Sequence, residues 1–234
     1  SFLRDGLLPA RFAGLSADIA ALKTMAGVRK DEHARVFTEL EAIARVQSVK
    51  SSNAIEGIVT SDRRIAEIVN GNSAPLDHNE AEIAGYRDAL RAVHTGYEYL
   101  DFREADILRL HEVMLSFTAQ ADGGRYKSAD NVILEVDEAG NRSVRFRPTS
   151  AAQTPKAMEQ LALAYLEARS DAGIDQLLLI PCVILDFLCI HPFRDGNGRM
   201  SRLLTLLLLY KNGYDVGKYI SFEEQINHYK AYYY

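Results

Sequence analysis

The residues best equipped for chemistry lie in one short segment, 191–202, which has the sequence HPFRDGNGRMSR. Two glycines flank an asparagine just before an apolar run, and the backbone N–H groups of such a loop and helix N-terminus bind phosphates. Arg199 and Arg202 are one helical turn apart, so both guanidinium groups lie on one side of the helix and can clamp phosphate oxygens. The predicted phosphate-binding loop consists of Gly196, Asn197 and Gly198.

Two further side chains of this segment extend its chemistry. Asp195 supplies one hard oxygen ligand, and Mg²⁺ typically uses one or two protein carboxylates together with the phosphates of its substrate. His191 is placed to act as a general base on an attacking hydroxyl. Each feature alone has an ordinary structural explanation, such as a tight turn or a buried capping group. Their combination predicts a site for nucleotide phosphates, Mg²⁺ and proton transfer.

The composition limits the classes of protein to consider. The chain has 234 residues, of which 47% are hydrophobic and 25% charged, a profile typical of a globular protein. Its net charge of −5 argues against nucleic acid or an anionic membrane as the main partner. The longest apolar run, 177–185, contains Pro181 and is too short to cross a bilayer. Cys182 and Cys189 lie in apolar sequence, so we expect two buried free thiols and a cytoplasmic protein.

Helical periodicity dominates the elements that must position the segment. Residues 31–55 contain neither Pro nor Gly, and Val36, Leu40 and Ile43 recur at helical spacing. Residues 174–190 are apolar on nearly every face, which predicts a helix buried centrally in a bundle. Most of the remaining sequence shows comparable helical patterns. The sequence therefore predicts an all-α fold.

One segment, about 131–147, departs from the helical pattern. Apolar residues alternate on either side of a turn-forming stretch at 137–141, which is the pattern of a β-hairpin. The alternating residues are Val132, Leu134, Val136, Val144 and Phe146. We therefore expect a helical bundle that carries one hairpin.

The segment 191–202 resembles the signature of the Fic (filamentation induced by cAMP) family at every position. That signature is His-Pro-Phe, any residue, Asp or Glu, Gly-Asn-Gly-Arg, any two residues, and Arg. Stretches 82–90, 108–115 and 213–233 also resemble Fic proteins. The resemblance implies a Fic-type bundle in which the hairpin is the flap, with a core domain at 76–234 after an N-terminal helical region at 1–75. Because the chain starts without Met and ends in a helical pattern, we expect a truncated C-terminus.

The resemblance also implies a role for each residue of the signature. His191 deprotonates a hydroxyl of a target protein, and Phe193 anchors the loop in the core. Asp195 binds Mg²⁺ that bridges the α- and β-phosphates of ATP. The residues implied to hold phosphate oxygens are Gly196, Asn197, Gly198, Arg199 and, for the γ-phosphate, Arg202. The implied reaction is attack on the α-phosphorus, which expels pyrophosphate and leaves AMP on Tyr, Thr or Ser.

Two glycines favour this reaction over others found among Fic relatives. Doc-like kinases of the family have Lys where this chain has Gly198, and members that transfer phosphocholine have Ala where it has Gly196. AMP transfer by a protein adenylyltransferase is therefore the expected activity. A non-catalytic regulatory or interaction protein built on the same scaffold stays open, although the intact His191 and Asp195 argue against it.

Ser52, Glu56 and Gly57 resemble the inhibitory motif of the family, which is Ser or Thr, three residues, Glu, and Gly or Asn. Because the motif precedes the core, the resemblance implies the class with an N-terminal inhibitory helix, here about 31–57. In that class the Glu56 carboxylate would compete with the γ-phosphate for Arg202. In some Fic proteins the corresponding Glu instead positions a water that removes AMP, so a deAMPylating or bifunctional enzyme stays open.

The resemblance further implies how substrates are held. The flap would align a segment of the target protein by strand pairing and so place its hydroxyl near the base. Just before the flap, Lys127 stands where Arg is usual in the family. Asn227, Tyr229 and Tyr233 are expected to line the adenine pocket, with core packing as an equal alternative for the tyrosines. Association into a homo-oligomer stays open.

Overall fold

The computed structural model describes residues 10–71, 73–136 and 140–230. Within these ranges the chain forms nine α-helices and one two-stranded sheet. The helices are α1 (Ala10–Glu32), α2 (Ala34–Ile55), α3 (Asp62–Val69), α4 (His78–Gly96), α5 (Glu104–Leu115), α6 (Thr154–Arg169), α7 (Gln176–Ile190), α8 (Asn197–Lys211) and α9 (Phe222–His228). This confirms the all-α fold with one hairpin. No helix in the described ranges is both long enough and apolar enough to cross a membrane.

Side-chain caps explain where several helices begin. Ser61 caps α3, Asp77 caps α4 and Ser221 caps α9, in each case by accepting a hydrogen bond from a backbone N–H in the first turn. Helix α6 begins with Thr154 followed by a proline in its first turn, where the missing N–H costs nothing. These local signals are readable in the sequence because each satisfies a backbone group that the helix itself leaves without a partner.

Helix α2 ends in a Schellman motif that fixes the position of Glu56. Gly57 has a φ of +80°, its N–H donates to the Ala54 carbonyl, and the N–H of Ile58 donates to the Asn53 carbonyl. Glu56 is thereby the C-cap residue, the last before the chain turns away from the helix. The predicted inhibitory helix ends where the sequence indicated.

The helix at the centre of the bundle is α8 and not α7, which corrects one expectation. Leu203, Leu204 and Leu207 of α8 are completely buried. Helix α7 instead presents one side to solvent, where Leu185 is 61% exposed. The expected burial of the thiols is also wrong, because Cys189 lies on the exposed side, although both cysteines are free. A helix that is apolar all round does not reveal which side its neighbours leave open.

The core is continuous across the proposed domain boundary at residue 75. Val49 of α2 and Ile68 of α3 belong to the same buried cluster as Ile83 of α4, Phe187 of α7 and Leu207 of α8. The division into regions 1–75 and 76–234 therefore stays a prediction. The packing places the end of α2 against the start of α8, where the candidate site lies.

The hairpin pairs β1 (Ile133–Val136) with β2 (Arg142–Phe146) in antiparallel register, as the alternation predicts. The register shifts between Ile133 and Leu134. Every residue of β2 is exposed, and the apolar side chains of Leu134 and Val144 face solvent as well. Residues 137–139 of the predicted turn lie outside the described residues. The hairpin thus offers an exposed edge next to the helical bundle.

Candidate active site

The predicted phosphate loop connects α7 to α8, and left-handed backbone conformations mark both of its ends. Helix α7 ends at His191, which has a φ of 51°. In the described part of the chain, His191 is the only residue other than glycine with a positive φ. Gly196 precedes α8 with a φ of 79°. A Cβ on Gly196 would meet only the end of the flexible Met114 side chain, so it is the positive φ that favours glycine there.

Asn197 closes the loop on itself. Its side-chain oxygen accepts from the Phe193 N–H at 2.9 Å, and its side-chain nitrogen donates to the Phe193 carbonyl at 2.8 Å. Phe193 is completely buried, in keeping with the anchoring role that the resemblance implies. Because the Asn197 amide is occupied by the loop backbone, its contribution in this structure is to fix the loop's shape. Its role in binding phosphate stays a prediction.

His111 on α5 packs against the loop and binds its backbone. The sequence alone did not indicate this role. Its ring stacks on Phe193 with the centroids 3.7 Å apart. The Gly124 N–H donates to Nδ1 at 3.1 Å, so the proton resides on Nε2, which donates to the Asp195 carbonyl at 3.1 Å. Burial lowers the pKa of His111 to about 4, which keeps the ring neutral and this bonding pattern fixed at neutral pH.

Arg202 and Glu56 are in direct contact. The Arg202 Nη2 donates to Glu56 Oε1 at 2.7 Å and to the Ser52 carbonyl at 2.9 Å, while Nε donates to Ser52 Oγ at 2.8 Å. A Cβ on Gly198 would overlap the Glu56 carboxylate. The carboxylate therefore lies against the first turn of α8 and occupies the kind of position predicted for a phosphate.

Arg199 has a different environment from that expected of an open phosphate clamp. It is almost completely buried, its Nη1 lies 2.5 Å from Glu82 Oε2 on α4, and its Nη2 lies 3.6 Å from Asp195 Oδ2. Glu82 also contacts His78 Nε2 at 2.8 Å. The predicted phosphate contact of Arg199 stays a prediction. The sequence showed Glu82 only as part of a stretch resembling Fic proteins and gave no sign of this pairing.

Asp195 suits the role of a single magnesium ligand. Its side chain is about half exposed, and Oδ1 accepts from the Gly196 N–H at 2.6 Å. The Gln120 side chain donates to Oδ2 at 3.3 Å. Within the described ranges no group of three or more His, Cys, Asp or Glu residues forms a metal cage. One accessible carboxylate fits Mg²⁺ that arrives with nucleotide phosphates, because that ion keeps most of its other ligands as phosphate or water oxygens.

His191 is in the protonation state that a base needs. Burial lowers its pKa below the ordinary value of 6.5, and the positive charge of Lys127 lowers it further. The Leu188 backbone and the Glu56 carboxylate act in the opposite direction but do not reverse the shift. The imidazole is therefore neutral at pH 7 and able to accept a proton.

The residues predicted for the adenine pocket are only partly placed. Asn227 lines a cleft of about 480 Å³ together with side chains of α2 and α3. Tyr229 is exposed and packs edge-on against His228. Tyr233 lies outside the described residues. Their role in binding adenine stays a prediction.

Helix α9 holds the end of α2, another feature that the sequence did not reveal. Ser48 Oγ on α2 donates to Ser221 Oγ at 3.0 Å, and Lys230 Nζ donates to the Ile55 carbonyl at 2.7 Å. The second bond satisfies one of the carbonyls that the last turn of α2 leaves open. Glu56 thus extends from a helix end that is secured from two sides.

Comparison with known proteins shows what the chain is similar to. The Fic/DOC family profile matches residues 99–209 of this chain. The protein adenylyltransferase Fic of Nematostella vectensis is 27% identical over 208 residues, which cover 79% of this chain and 44% of that protein. The protein adenylyltransferase fic-1 of Caenorhabditis elegans is 29% identical over 172 residues, which cover 69% of this chain and 31% of that protein.

The fold comparison agrees with the sequence comparison. A Fic family protein from Desulfovibrio desulfuricans superimposes with a TM-score of 0.71 at 24% identity, over 93% of this chain and 64% of that one. The chain spans less than half the length of the two adenylyltransferases. The likeness to the solved structure therefore establishes the fold alone.

Proposed function

We propose that this chain carries the catalytic domain of a protein adenylyltransferase that transfers AMP from ATP to a Tyr, Thr or Ser hydroxyl of a target protein. The observation that carries the proposal is the buried Arg202 at the start of α8, whose guanidinium binds a carboxylate next to Gly198. A buried guanidinium beside the N–H groups of a helix N-terminus is a site for an anion. The names of the two relatives support the choice of nucleotide chemistry.

In the proposed transfer step, His191 accepts the proton of the target hydroxyl. Nδ1 of His191 is buried, so we assign Nε2 as the nitrogen that accepts the proton of the target hydroxyl. The hydroxyl oxygen bonds to the α-phosphorus, the bond from that phosphorus to the bridging oxygen breaks, and pyrophosphate leaves with the electron pair. A positioned base of this kind contributes on the order of 10² to 10⁴ in rate.

The phosphates would be held by the loop and by the first turn of α8. The backbone N–H groups at Gly196 and Gly198 provide dipoles for the phosphate oxygens, and Arg202 provides a charge for the γ-phosphate. Asp195 would hold Mg²⁺, which supplies neutralisation of the phosphate charge as pyrophosphate departs. The loop is fixed in advance by Asn197, so little reorganisation is required when the nucleotide binds.

The proposed enzyme is inhibited by its own inhibitory helix. Glu56 Oε1 lies 2.7 Å from Arg202 Nη2, so the γ-phosphate has to compete with a carboxylate that is already in place. Without that arginine, ATP is not held with its α-phosphorus in line with the target hydroxyl. Ser52 strengthens the inhibited arrangement, because two of its oxygens accept from the same guanidinium.

Removal of AMP is a second candidate activity for the same site. The Glu56 side chain is one-third exposed, and its charge acts on the pKa of His191. A water between these two side chains would therefore have a carboxylate to accept its proton, and it would lie near the phosphate-binding loop. A target labelled beforehand with AMP and incubated with the parent protein distinguishes this activity. Release of AMP that stops in Glu56→Gln supports removal, whereas retention of the label by the parent excludes it.

The reaction class is tested in the Glu56→Gly protein, in which inhibition is absent. We expect ATP labelled at the α-phosphate to label a protein in a cell lysate when Mg²⁺ is present, and ATP labelled at the γ-phosphate not to do so. The matched control is the double variant that also carries His191→Ala, which is expected to leave no label. Label from the γ-phosphate alone would instead indicate a kinase, and no label from either would favour a non-catalytic scaffold.

The hairpin is the proposed docking site of the target. Its strands are short and exposed and carry apolar side chains such as Leu134 and Val144 towards solvent. An extended peptide can pair with such an edge and place one of its hydroxyls near His191. Leu134→Lys in the Glu56→Gly protein is expected to reduce labelling of the target and to leave ATP binding unchanged, and equal labelling would exclude docking on this strand.

A further inference from the structure

The segment that leads into the hairpin is attached to the backbone on both sides of His191. The Lys127 N–H donates to the Pro192 carbonyl at 2.9 Å, and Lys127 Nζ donates to the Ile190 carbonyl at 3.1 Å. Asn131 Nδ2 donates to the Phe193 carbonyl at 3.3 Å, and Lys127 Nζ also donates to Asn131 Oδ1 at 2.8 Å. Lys127, a single residue before β1, therefore binds the carbonyls of the two residues that flank the proposed base, Ile190 and Pro192.

Lys127 is unusual in its burial. Only 6% of the residue is exposed, and burial lowers the pKa of its ammonium group. The two oxygens that accept from Nζ are neutral, a backbone carbonyl and an amide. Desolvating an ammonium group is costly, and the pKa stays lowered although the charge of the Asp130 carboxylate acts in the opposite direction. The C-terminal end of α7, with its open carbonyls and negative dipole end, partly offsets that cost.

The backbone at His191 explains what these bonds stabilise. A left-handed conformation at a residue with a Cβ is unfavourable and persists only where the surroundings fix it. Lys127 binds the carbonyl of the peptide that joins Ile190 to His191 and the carbonyl of the peptide that joins Pro192 to Phe193, and Asn131 binds the carbonyl of Phe193. These contacts supply the external constraint that the conformation requires.

We propose that Lys127 and Asn131 are positioning residues for the transfer reaction, which hold the strained turn at His191 and join it to the base of the hairpin. The inference rests on the proposed function and goes beyond it, because neither residue belongs to the loop signature. The proposed docking strand begins just after Asn131, so a target bound to the hairpin is registered against the same contacts that orient the base.

Lys127 has an electrostatic effect as well as a geometric one. Its fixed positive charge opposes protonation of His191, whereas Glu56 at the end of α2 favours it. Removing the charge of Lys127 therefore raises the pKa of His191. A residue that served only to pack the hairpin would leave this titration unchanged, so the two roles can be separated by experiment.

The first test is the titration of His191 by NMR in the parent chain, in Lys127→Met and in Lys127→Arg, with His191→Ala to assign the signal. We expect Lys127→Met to raise the pKa of His191 by about half a unit or more, and Lys127→Arg to restore the parent value. Methionine keeps much of the length of the buried stem while removing charge and donor. Equal pKa values in the parent and Lys127→Met overturn the electrostatic role.

The second test is the rate of AMP transfer in the Glu56→Gly background. Lys127→Met is expected to lower kcat by about tenfold or more with little change in the KM for ATP, because the base is displaced and the nucleotide cradle is not. Lys127→Arg should recover most of the rate. A loss confined to KM, or no recovery by arginine, contradicts positioning.

Asn131→Leu keeps the proposal testable if Lys127→Met does not fold, as judged by circular dichroism. This variant removes the bonds to Lys127 and to the Phe193 carbonyl but leaves the charge of Lys127 in place. We expect a smaller loss of kcat, and an unchanged kcat in a folded Asn131→Leu protein would overturn the proposal. If no variant transfers AMP but the titration still shifts, the proposed function fails while the arrangement around His191 stands.

Discussion

Two carboxylates from different parts of the molecule bind two arginines one turn apart on α8, and their surroundings differ. Glu82 lies in the second turn of α4 and pairs with Arg199. The side chain of Glu82 is 7% exposed and that of Arg199 is 1% exposed. Glu56 caps the end of α2 and pairs with Arg202, with exposures of 33% and 0%. The first pair is almost completely buried, whereas in the second pair the carboxylate is in contact with solvent.

Under the proposed function, the same kind of ion pair serves structure at Arg199 and control at Arg202. Separating Glu82 from Arg199 would leave two buried charges without their close partner, because the helix that carries Glu82 runs through the core. Glu56 is the last residue before Gly57 and the turn out of α2, so its side chain can swing away from Arg202 towards solvent without moving the helix. We infer that Arg199 sets the position of α8 and that Arg202 is the residue over which nucleotide and inhibitor compete.

The largest expected effect separates the two pairs by stability. Glu82→Gln leaves the Arg199 charge buried with only the more distant Asp195 to balance it, so we expect a loss of about 3 kcal/mol or more in the free energy of unfolding. Glu56→Gln is the matched control and is expected to cost less, because one-third of the Glu56 side chain is in contact with solvent and water can replace the carboxylate beside Arg202. Urea denaturation followed by circular dichroism measures both values, and equal losses would remove the distinction between the pairs.

An effect of similar size is expected from pH, because the buried His111 contacts the loop that precedes α8. Burial lowers the pKa of His111 to about 4 from 6.5, so the unfolded chain binds this proton more readily than the folded one between those values. Stability is therefore complete above pH 6.5 and decreases as the pH falls towards 4, by on the order of 3 kcal/mol from this group.

Thermal unfolding between pH 7 and pH 4 tests this origin of acid sensitivity. His111→Phe keeps the stacking on Phe193 and has no proton to bind, so its melting temperature should fall less over the same range. The variant is expected to be less stable than the parent at pH 7, because the hydrogen bond to the Asp195 carbonyl is lost. An identical pH dependence of both proteins would assign the acid sensitivity to other groups.

The smallest expected effect concerns the hydrogen bond between the Ser52 hydroxyl and Arg202. Ser52→Ala removes the hydroxyl that accepts from Nε and retains the backbone carbonyl that accepts from Nη2. We expect a loss of about 1 kcal/mol in stability and a rise of a few-fold in the rate of AMP transfer, since the inhibited arrangement is weakened but not abolished. A rate as high as that of Glu56→Gly would mean that Ser52 and not Glu56 maintains inhibition.

The sequence revealed those parts of the site that are local in the chain. The loop, the arginine spacing, the end of α2 at Gly57 and the hairpin all follow from patterns within short windows. The contact between Glu56 and Arg202 joins distant segments, and it was predictable only through the resemblance to the family. Long-range pairs without such a motif, above all Glu82 with Arg199, have no local signature.

The remaining differences also have physical reasons. The stack of His111 on Phe193 depends on how α5 packs, which helical periodicity does not specify. Helix α7 was expected at the centre because its hydrophobicity is uniform, but uniform hydrophobicity does not tell a buried side from one left open. The departure from arginine at Lys127 was visible in the sequence, whereas its contacts around His191 required the fold.

The most direct test of the account is the initial rate of AMP transfer from α-labelled ATP by the parent chain and by Glu56→Gly, at equal protein and Mg²⁺ concentrations. The account predicts a rate at least about tenfold higher for Glu56→Gly, because Arg202 then becomes available to the γ-phosphate, and a tenfold change corresponds to about 1.4 kcal/mol. The same variant with Arg202→Ala should return to the parent rate or below. Equal rates for the parent and Glu56→Gly would contradict the claim that the contact between Glu56 and Arg202 inhibits the enzyme.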